Sequence, residues 1–267
     1  MRHEGWLVVM DDCLNVLRAM PAGSVDVIAT SPPYNQAVAY SQYDDRMPRE
    51  VYLTWLTERF AELYRVLKSD GSFFLNINGS GTKEDLTLPY AIIDRGVATG
   101  FVPQNEIVWV KAIALDNAVR GHVKPVNSQK YLDRAHERIF HLTKRGDVML
   151  DKLAIGTPFA DKSNIGRRGH LQDLRCGTNN WFLPYRTVQS KAEKFDHPAG
   201  FPVELPLRCI KLHGLRPDLM VLDPFLGAGT TLVAAQALGC RSIGIEIDRK
   251  YVEIAIRRLK EAEGQSA

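Results

Sequence analysis

A chain of 267 residues with 45% hydrophobic content can bury one large core or two small ones, which excludes a disordered tail and a disulfide miniprotein. Charged residues are an ordinary 24%, and no apolar run approaches the roughly 20 residues that a bilayer-spanning helix needs, so a soluble chain is expected. The net charge of +3 is unevenly spread: residues 1–110 carry 9 Lys+Arg against 14 Asp+Glu, residues 111–175 carry 13 against 7, and residues 176–267 carry 12 against 10. A phosphate-facing surface needs such a basic middle third, and a solvated face produces one too.

The N-terminal apolar stretch is broken by Asp11 and Asp12 and offers no small-residue cleavage site, so it does not read as a secretory signal and a cytoplasmic location is expected. In chain order, Trp6–Met10 reads as a strand, Leu14–Met20 as a short helix and Val25–Thr30 as a buried strand ended by two prolines. Over 49–67, Tyr52, Trp55, Leu56, Phe60, Leu63, Tyr64 and Leu67 recur at helical spacing, and Ser69-Asp70-Gly71 is expected to stop that helix; the aromatic stripe is expected to be core. Strand 73–77, helix 88–99, strand 107–110 and strand 137–142 follow. The stretches 112–135 and 147–195 lack periodicity and read as long loops or an appended module, whose length suits a substrate-reading insertion. The pattern resumes with helix 203–213, strand 219–223, helix 230–238, strand 242–246 and a last helix over about 249–262. Strands alternating with helices predict a parallel α/β sheet. Cys13, Cys176, Cys209 and Cys240 form no C-x-x-C pair, and His122, His136, His141 and His170 lack ligand spacing, so no metal site is expected. The Arg257-Arg258-Leu259-Lys260 cluster suits the C-terminal end of a helix dipole.

Two motifs carry chemistry. The first is Asp223-Pro224-Phe225-Leu226-Gly227-Ala228-Gly229-Thr230-Thr231, a strand entering a glycine turn and then a helix. Glycines let a ligand approach the backbone, and a helix N-terminus offers free N–H groups. Glu246 ends the next strand nineteen residues after Gly227, where an acid can accept from both hydroxyls of a ribose. There is neither a third glycine at dinucleotide spacing nor a P-loop lysine, so a cofactor without a pyrophosphate fits, and S-adenosylmethionine is one.

The second is Ser31-Pro32-Pro33-Tyr34, directly after the buried strand and hence at the carboxyl edge of the sheet, where α/β folds bind ligands. Prolines lack donors and stiffen the chain, leaving carbonyls that only accept. Ser31 Oγ and the Pro32 carbonyl could take the two hydrogens of an exocyclic amine while the Tyr34 ring stacks on a planar base. A rigid turn capping a strand is the bland alternative.

Together the two motifs resemble the β group of amino-methylating DNA methyltransferases, in which an Asp/Ser/Asn-Pro-Pro-Tyr/Phe motif precedes a Phe-x-Gly-x-Gly cofactor loop. Asp11-Asp12-Cys13 resembles that family's Gly-Asp-Cys segment with Asp11 in place of Gly. Lys68-Ser69-Asp70-Gly71, Trp109-Val110-Lys111 and His136-Glu137-Arg138-Ile139 resemble its scaffold segments, and 197–202 resembles its last cofactor motif. The resemblance implies a Rossmann-like S-adenosylmethionine-dependent methyltransferase fold, circularly permuted, with catalytic residues 1–111, a target-recognition region 112–195 holding a returning strand near 137–142, and cofactor-binding residues 196–267.

Carried over by position, Asp223, Phe225, Gly227 and Gly229 would surround the methionine part of the cofactor, with Pro224, Thr230 and Thr231 beside them. Glu246 and Ile247 would hold its ribose end, Asp12 and Cys13 its adenine end, and His197 and Phe201 would close the pocket. Lys162, Arg167, Arg168 and Arg175 lie in the basic region, where they could neutralise phosphates or read guanine. The implied reaction is direct methyl transfer to an exocyclic amine of a flipped base in double-stranded DNA. Within the family the Ser form goes chiefly with N4 of cytosine and the Asp form with N6 of adenine, which favours cytosine. RNA and protein-glutamine methyltransferases share the motif type, but its order here and the basic insertion argue against both. A non-catalytic DNA-recognition protein would have been signalled by loss of Tyr34 or of the glycine loop, and both are present. A cognate restriction endonuclease and a second copy of the chain are further partners of the family, and the sequence decides neither, nor the recognition site.

Overall fold

The computed structural model describes residues 5–35, 42–43, 45–78, 86–115, 118–121, 130, 135–167, 172–185 and 200–264. The elements are β1 (Trp6–Met10), α1 (Cys13–Ala19), β2 (Val25–Thr30), α2 (Arg49–Val66), β3 (Leu67–Ile77), α3 (Leu88–Ala98), β4 (Val102–Leu115), β5 (Ala118–Gly121), β6 (His136–Thr143), β7 (Asn180–Tyr185), α4 (Glu204–His213), β8 (Met220–Asp223), α5 (Thr230–Ala237), β9 (Arg241–Glu246) and α6 (Arg249–Gly264), with a 3₁₀ turn at Lys162–Asn164. They build one sheet in the order β1-β9-β8-β2-β3-β6-β4-β5, with β7 also paired to β4. Neighbours from β1 through β3 are parallel, β6 runs antiparallel to both β3 and β4, and β7 is parallel to β4.

Every residue of β2 is buried, because this central strand is covered on both faces. On one face Ile28, Phe73 and Leu75 pack with Leu17, Tyr52, Leu56, Phe60 and Leu63 of α1 and α2. On the other, Val27, Ala29 and Val221 pack with Cys209, Ile210, Ala234 and Ala235 of α4 and α5. A third cluster joins Trp6 and Val8 of β1 to Val252, Ala255 and Leu259 of α6.

Three expectations need correction. The sheet is mixed rather than parallel, because β6 inserts between β3 and β4 and β5 folds back on β4, each running antiparallel to its neighbours. Helix α2 stops at Val66 rather than at Ser69-Asp70-Gly71, and residues 67–71 already belong to β3. They form a bulge, since Val25 pairs Leu67 while Val27 pairs Ser72. Lys68 Nζ then reaches the buried Asp26 carboxylate at 2.7 Å, which Arg216 also pairs. The aperiodic stretches are not all loop: β4 runs on to Leu115, β5 returns beside it, and β7 adds a strand from the second stretch. Strand β7 hides its alternation, because Phe182 stands 62% exposed between buried Trp181 and Leu183, and proline at 184 marks an edge strand. Residues 116–117, 122–129 and 131–134 of the first stretch, and 168–171 and 186–195 of the second, lie outside the described residues.

Beneath the sheet, Asn105 Nδ2 lies 3.1 Å from His141 Nδ1, His141 Nε2 lies 3.0 Å from Ser72 Oγ, and Ser72 Oγ lies 2.9 Å from His213 Nδ1. With Asn105 donating, each proton in the row points one way, from Asn105 to His141 to Ser72 to His213. His213 then carries its hydrogen on Nε2, which is buried and has no partner among the described residues. Burial pushes His141 down to about 3, reinforced by His213, and pushes His213 down to about 4, reinforced by Arg216. An unfolded histidine takes a proton near its ordinary value of 6.5, whereas folded His213 stays neutral to about pH 4, so its contribution to stability is complete above pH 6.5 and is lost as the pH falls. Asn at 213 retains an acceptor for Ser72 and cannot titrate. In urea unfolding between pH 7 and 4, the stability of the wild type relative to His213→Asn is expected to fall by up to about 3 kcal/mol. A difference that stays constant would show that His213 does not couple folding to protons.

Candidate active site

Because β1, β9, β8 and β2 are parallel and adjacent, their carboxyl ends share one edge of the sheet. That edge receives Asp12 after β1, Glu246 at the end of β9, Asp223 at the end of β8, and Ser31 after β2. The bond from Asp11 N to the Glu246 carbonyl (3.2 Å) extends the β1–β9 pairing into the loops. Motifs far apart in the chain are thus neighbours in the fold.

The glycine turn is shaped for close approach. Gly227 and Gly229 have φ of 51° and 82°, and a Cβ on Gly229 would lie 2.9 Å from the Ala255 Cβ of α6. Gly229 is the N-cap of α5, so the first amides of that helix point along this edge. Glu246 Oε2 accepts from Gly227 N (2.8 Å) and its Oε1 from Asp248 N (2.9 Å), which fixes the carboxylate in direction and leaves lone pairs on both oxygens. Burial raises its pKa, against the lowering effect of those two amides. Asp223 is buried, which pushes it up to about 6 despite bonds from the Thr30 hydroxyl and the Phe225 amide. Thr30 Oγ1 donates to Asp223 Oδ1 at 2.6 Å and Thr231 Oγ1 to the Ala29 carbonyl at 3.2 Å, so the ends of β2 and β8 are joined directly.

In the second motif Pro32 is buried, and the Pro33 carbonyl accepts from Tyr52 Oη at 2.6 Å. Asn35 follows in the left-handed region (φ 56°), its side chain exchanging two bonds with the Met47 backbone and its amide donating to Asp45. Ser31 and Tyr34 are half-buried, with Ser31 Oγ 2.8 Å from Tyr34 Oη. Behind them stands a buried polar cluster: Tyr34 Oη is 3.0 Å from Glu137 Oε2, Asn76 Nδ2 donates to both oxygens (2.9 and 2.8 Å), and Lys111 pairs with Glu137 Oε1. Burial, then the Glu137 charge, holds the Tyr34 phenol well above its ordinary pKa.

The remaining candidates divide. Pro224 is buried beside Asp223, Phe225 is half-buried, and Ile247 is 45% exposed just past Glu246. Cys13 is buried in the core, and burial, outweighing the nearby Arg59 charge, pushes its thiol up to about 12. Phe201 packs on the α4 side of the sheet. Lys162 is ion-paired with Asp173 at 2.5 Å, Arg175 Nε donates to Thr157 Oγ1 at 2.9 Å, and Arg167 is exposed. His197 and Arg168 lie outside the described residues.

Sequence reasoning missed three groups. Arg59, 3% exposed on α2, places Nη2 2.8 and 2.9 Å from the two Asp12 oxygens and lies over the Trp55 ring at 3.9 Å. Trp55 is therefore not simply core, since its ring is 5.7 Å from that of Phe225 in the glycine turn. Arg258 is no solvated end of a helix: it reaches Thr230 Oγ1 at 3.1 Å and also bonds the Ala228 carbonyl. Glu137 is the one carboxylate of strand β6, HERIFHLT, and it is buried, which sequence alone did not indicate because His136 and Arg138 flank it.

Residues 25–257 match the family model of DNA methylases of the N6/N4 methyltransferase type. The chain belongs to this DNA methylase family. Its relatives include the Type II methyltransferase M.BglII from Bacillus subtilis, 33% identical over 93% of this chain and 67% of the relative. Another is the DNA adenine methyltransferase YhdJ of Escherichia coli K12, 30% identical over 99% of this chain and 86% of the relative. Among solved structures, the cytosine-N4-specific PvuII DNA methyltransferase aligns with a TM-score of 0.71 at 20% identity, covering 98% of this chain and 91% of the other. A Thermus thermophilus protein named as a DNA modification methylase, complexed with S-adenosyl-L-methionine, aligns at 0.64 and 23% identity, covering 96% and 93%. The fold is the Rossmann-like methyltransferase fold of that S-adenosyl-L-methionine complex. The DNA methylase edge of the sheet fits that cofactor: an oriented carboxylate can take two ribose hydroxyls, and the turn has room only for glycine at 229.

The pairing of Asp12 with Arg59 has a consequence that needs no cofactor to observe. Asp12→Asn leaves a buried guanidinium without its countercharge, which is expected to cost about 3 kcal/mol in urea unfolding of the cofactor-free protein. Unchanged stability would show that the pair contributes nothing to the fold.

Proposed function

We propose that this DNA methylase transfers the methyl group of S-adenosylmethionine to the exocyclic N4 of cytosine in duplex DNA, after the base has been flipped out of the helix. The observation that carries this reading is the placement of Ser31 and Tyr34 beside the glycine turn, tied to it by the bond from Thr30 to Asp223. When bound, the cofactor supplies a sulfonium methyl; the amine lone pair forms the N–C bond as the S–C bond breaks, and the nitrogen then sheds one proton. The protein supplies orientation. Ser31 Oγ and the Pro32 carbonyl accept the amine hydrogens, which turns the lone pair toward the methyl, and the Tyr34 ring stacks on the flipped base. Glu246 accepts from the ribose, Asp223 through Thr231 line the methionine end, and the basic 112–195 region, with Arg167, Arg168 and Arg175, faces DNA phosphates. The catalytic part preceding the cofactor part is the permuted order of the β group.

Cytosine is preferred because the tetrapeptide carries Ser at its first position, the form that goes chiefly with N4 in the family it resembles. N6 of adenine is the second reading, favoured by the name of the 30%-identical YhdJ relative. Single-molecule sequencing of DNA from cells expressing the protein distinguishes them. N4-methylcytosine within one short sequence is expected, vanishing with Tyr34→Ala although that variant folds and binds S-adenosylmethionine. N6-methyladenine would overturn the base assignment, and DNA without any methylated amine would overturn the activity.

A further inference from the structure

The cluster behind Tyr34 contains enough donors and acceptors to fix the direction of every proton in it. Glu137 is 7% exposed, and three donor groups converge on its carboxylate: Lys111 at one oxygen, Asn76 and Tyr34 at the other. An ionised carboxylate only accepts. The phenol of Tyr34 has one hydrogen, and two oxygens 3.0 Å apart without a hydrogen between them would repel, so that hydrogen lies toward Glu137. Asn76 already donates to the phenol oxygen, leaving it to accept once more. The 2.8 Å contact with Ser31 is therefore filled by the Ser31 hydrogen.

We propose that Glu137 is a positioning residue for methyl transfer: as terminal acceptor of the chain from Ser31 through Tyr34, it commits the single Ser31 proton inward, so that Ser31 Oγ presents only lone pairs to the target. This deepens the amine-methylation reading and rests on it. A serine hydroxyl free to rotate can donate to a base carbonyl or accept from a base amine. One whose proton is held accepts only, and so selects an –NH₂ edge over a carbonyl edge and holds that amine in one rotation. The group that sets this preference lies on β6, two strands away from the motif, and touches the substrate through no atom of its own.

Glu137→Gln tests this. The amide has one oxygen, which Lys111 claims, so its –NH₂ faces Tyr34 and Asn76; the phenol proton turns to Ser31, and the Ser31 proton turns to the amine it should accept from. In single-turnover assays with tritiated S-adenosylmethionine and a duplex carrying the mapped site, the rate is expected to fall about ten- to a hundredfold. Affinities for cofactor and DNA should stay within about twofold, because neither contact is lost. Tyr34→Phe keeps the ring and deletes the oxygen through which Glu137 acts. Glu137→Gln added to Tyr34→Phe is therefore expected to slow transfer by less than about twofold more, whereas independent structural damage would multiply. An unchanged rate in Glu137→Gln, or multiplied effects in the double variant, would overturn the proposal. If Glu137→Gln does not fold, Tyr34→Phe decides alone: a loss of about tenfold or more supports the chain, and a wild-type rate overturns it. Wild-type protein that labels no DNA amine would defeat the functional reading itself, while an active wild type with an equally active Glu137→Gln defeats only this inference.

Discussion

A hydrogen bond of 2.6 Å from Thr30 to Asp223 joins two stretches of chain 193 residues apart, and the candidate site is organised around it. Thr30 is the last residue of the central strand and immediately precedes the Ser-Pro-Pro-Tyr motif; Asp223 is the last residue of the neighbouring strand and immediately precedes the glycine turn. Both are buried, so neither can satisfy itself with water, and the carboxylate also takes the Phe225 amide at 3.1 Å. Parallel pairing of β2 with β8 brings the two ends together, and this bond sets how they sit relative to one another.

Around that link the fold supports each loop from behind. Arg258 on α6 ties the glycine turn through Thr230 and the Ala228 carbonyl, while Tyr52 on α2 ties the proline turn through the Pro33 carbonyl. Trp55, on the same helix as Tyr52, lies between the buried Arg59 and the Phe225 ring. Methyl transfer between two bound molecules depends on their mutual alignment, so rigid loops held by separate helices are what such chemistry requires of a protein.

Much of this was legible in the sequence because it rests on local rules. Val25–Thr30 is apolar but for Asp26 and Thr30 and is followed, after Ser31, by two prolines, and its observed limits are the expected ones. Gly227, Gly229 and Glu246 fall at the spacing that a strand-turn-helix-strand unit imposes, and the Glu246 carboxylate does meet the Gly227 amide. What was not legible depends on contacts between distant elements. Strand β7 has no independent signature, since only pairing with β4 makes Asn180–Tyr185 a strand. Arg59 is a charge on an apolar helix face, and only the fold sets Asp12 opposite it. Glu137 was legible only as part of a segment resembling the family scaffold, because Tyr34, Asn76 and Lys111 come from three other elements that no spacing rule relates.

For the proposed methyl transfer, the Ser-Pro-Pro-Tyr motif and the glycine turn work as one unit through the Thr30–Asp223 bond. Thr30→Val keeps the shape of the side chain and removes its hydroxyl, so the most direct measurement is its single-turnover methyl-transfer rate at saturating S-adenosylmethionine and DNA, beside calorimetric affinity for the cofactor. Loss of a charge-assisted bond worth about 1.5–3 kcal/mol is expected to slow transfer by at least tenfold while the protein remains folded and still binds cofactor. A rate equal to that of the wild type would show that the two loops are aligned without this bond and would contradict the account.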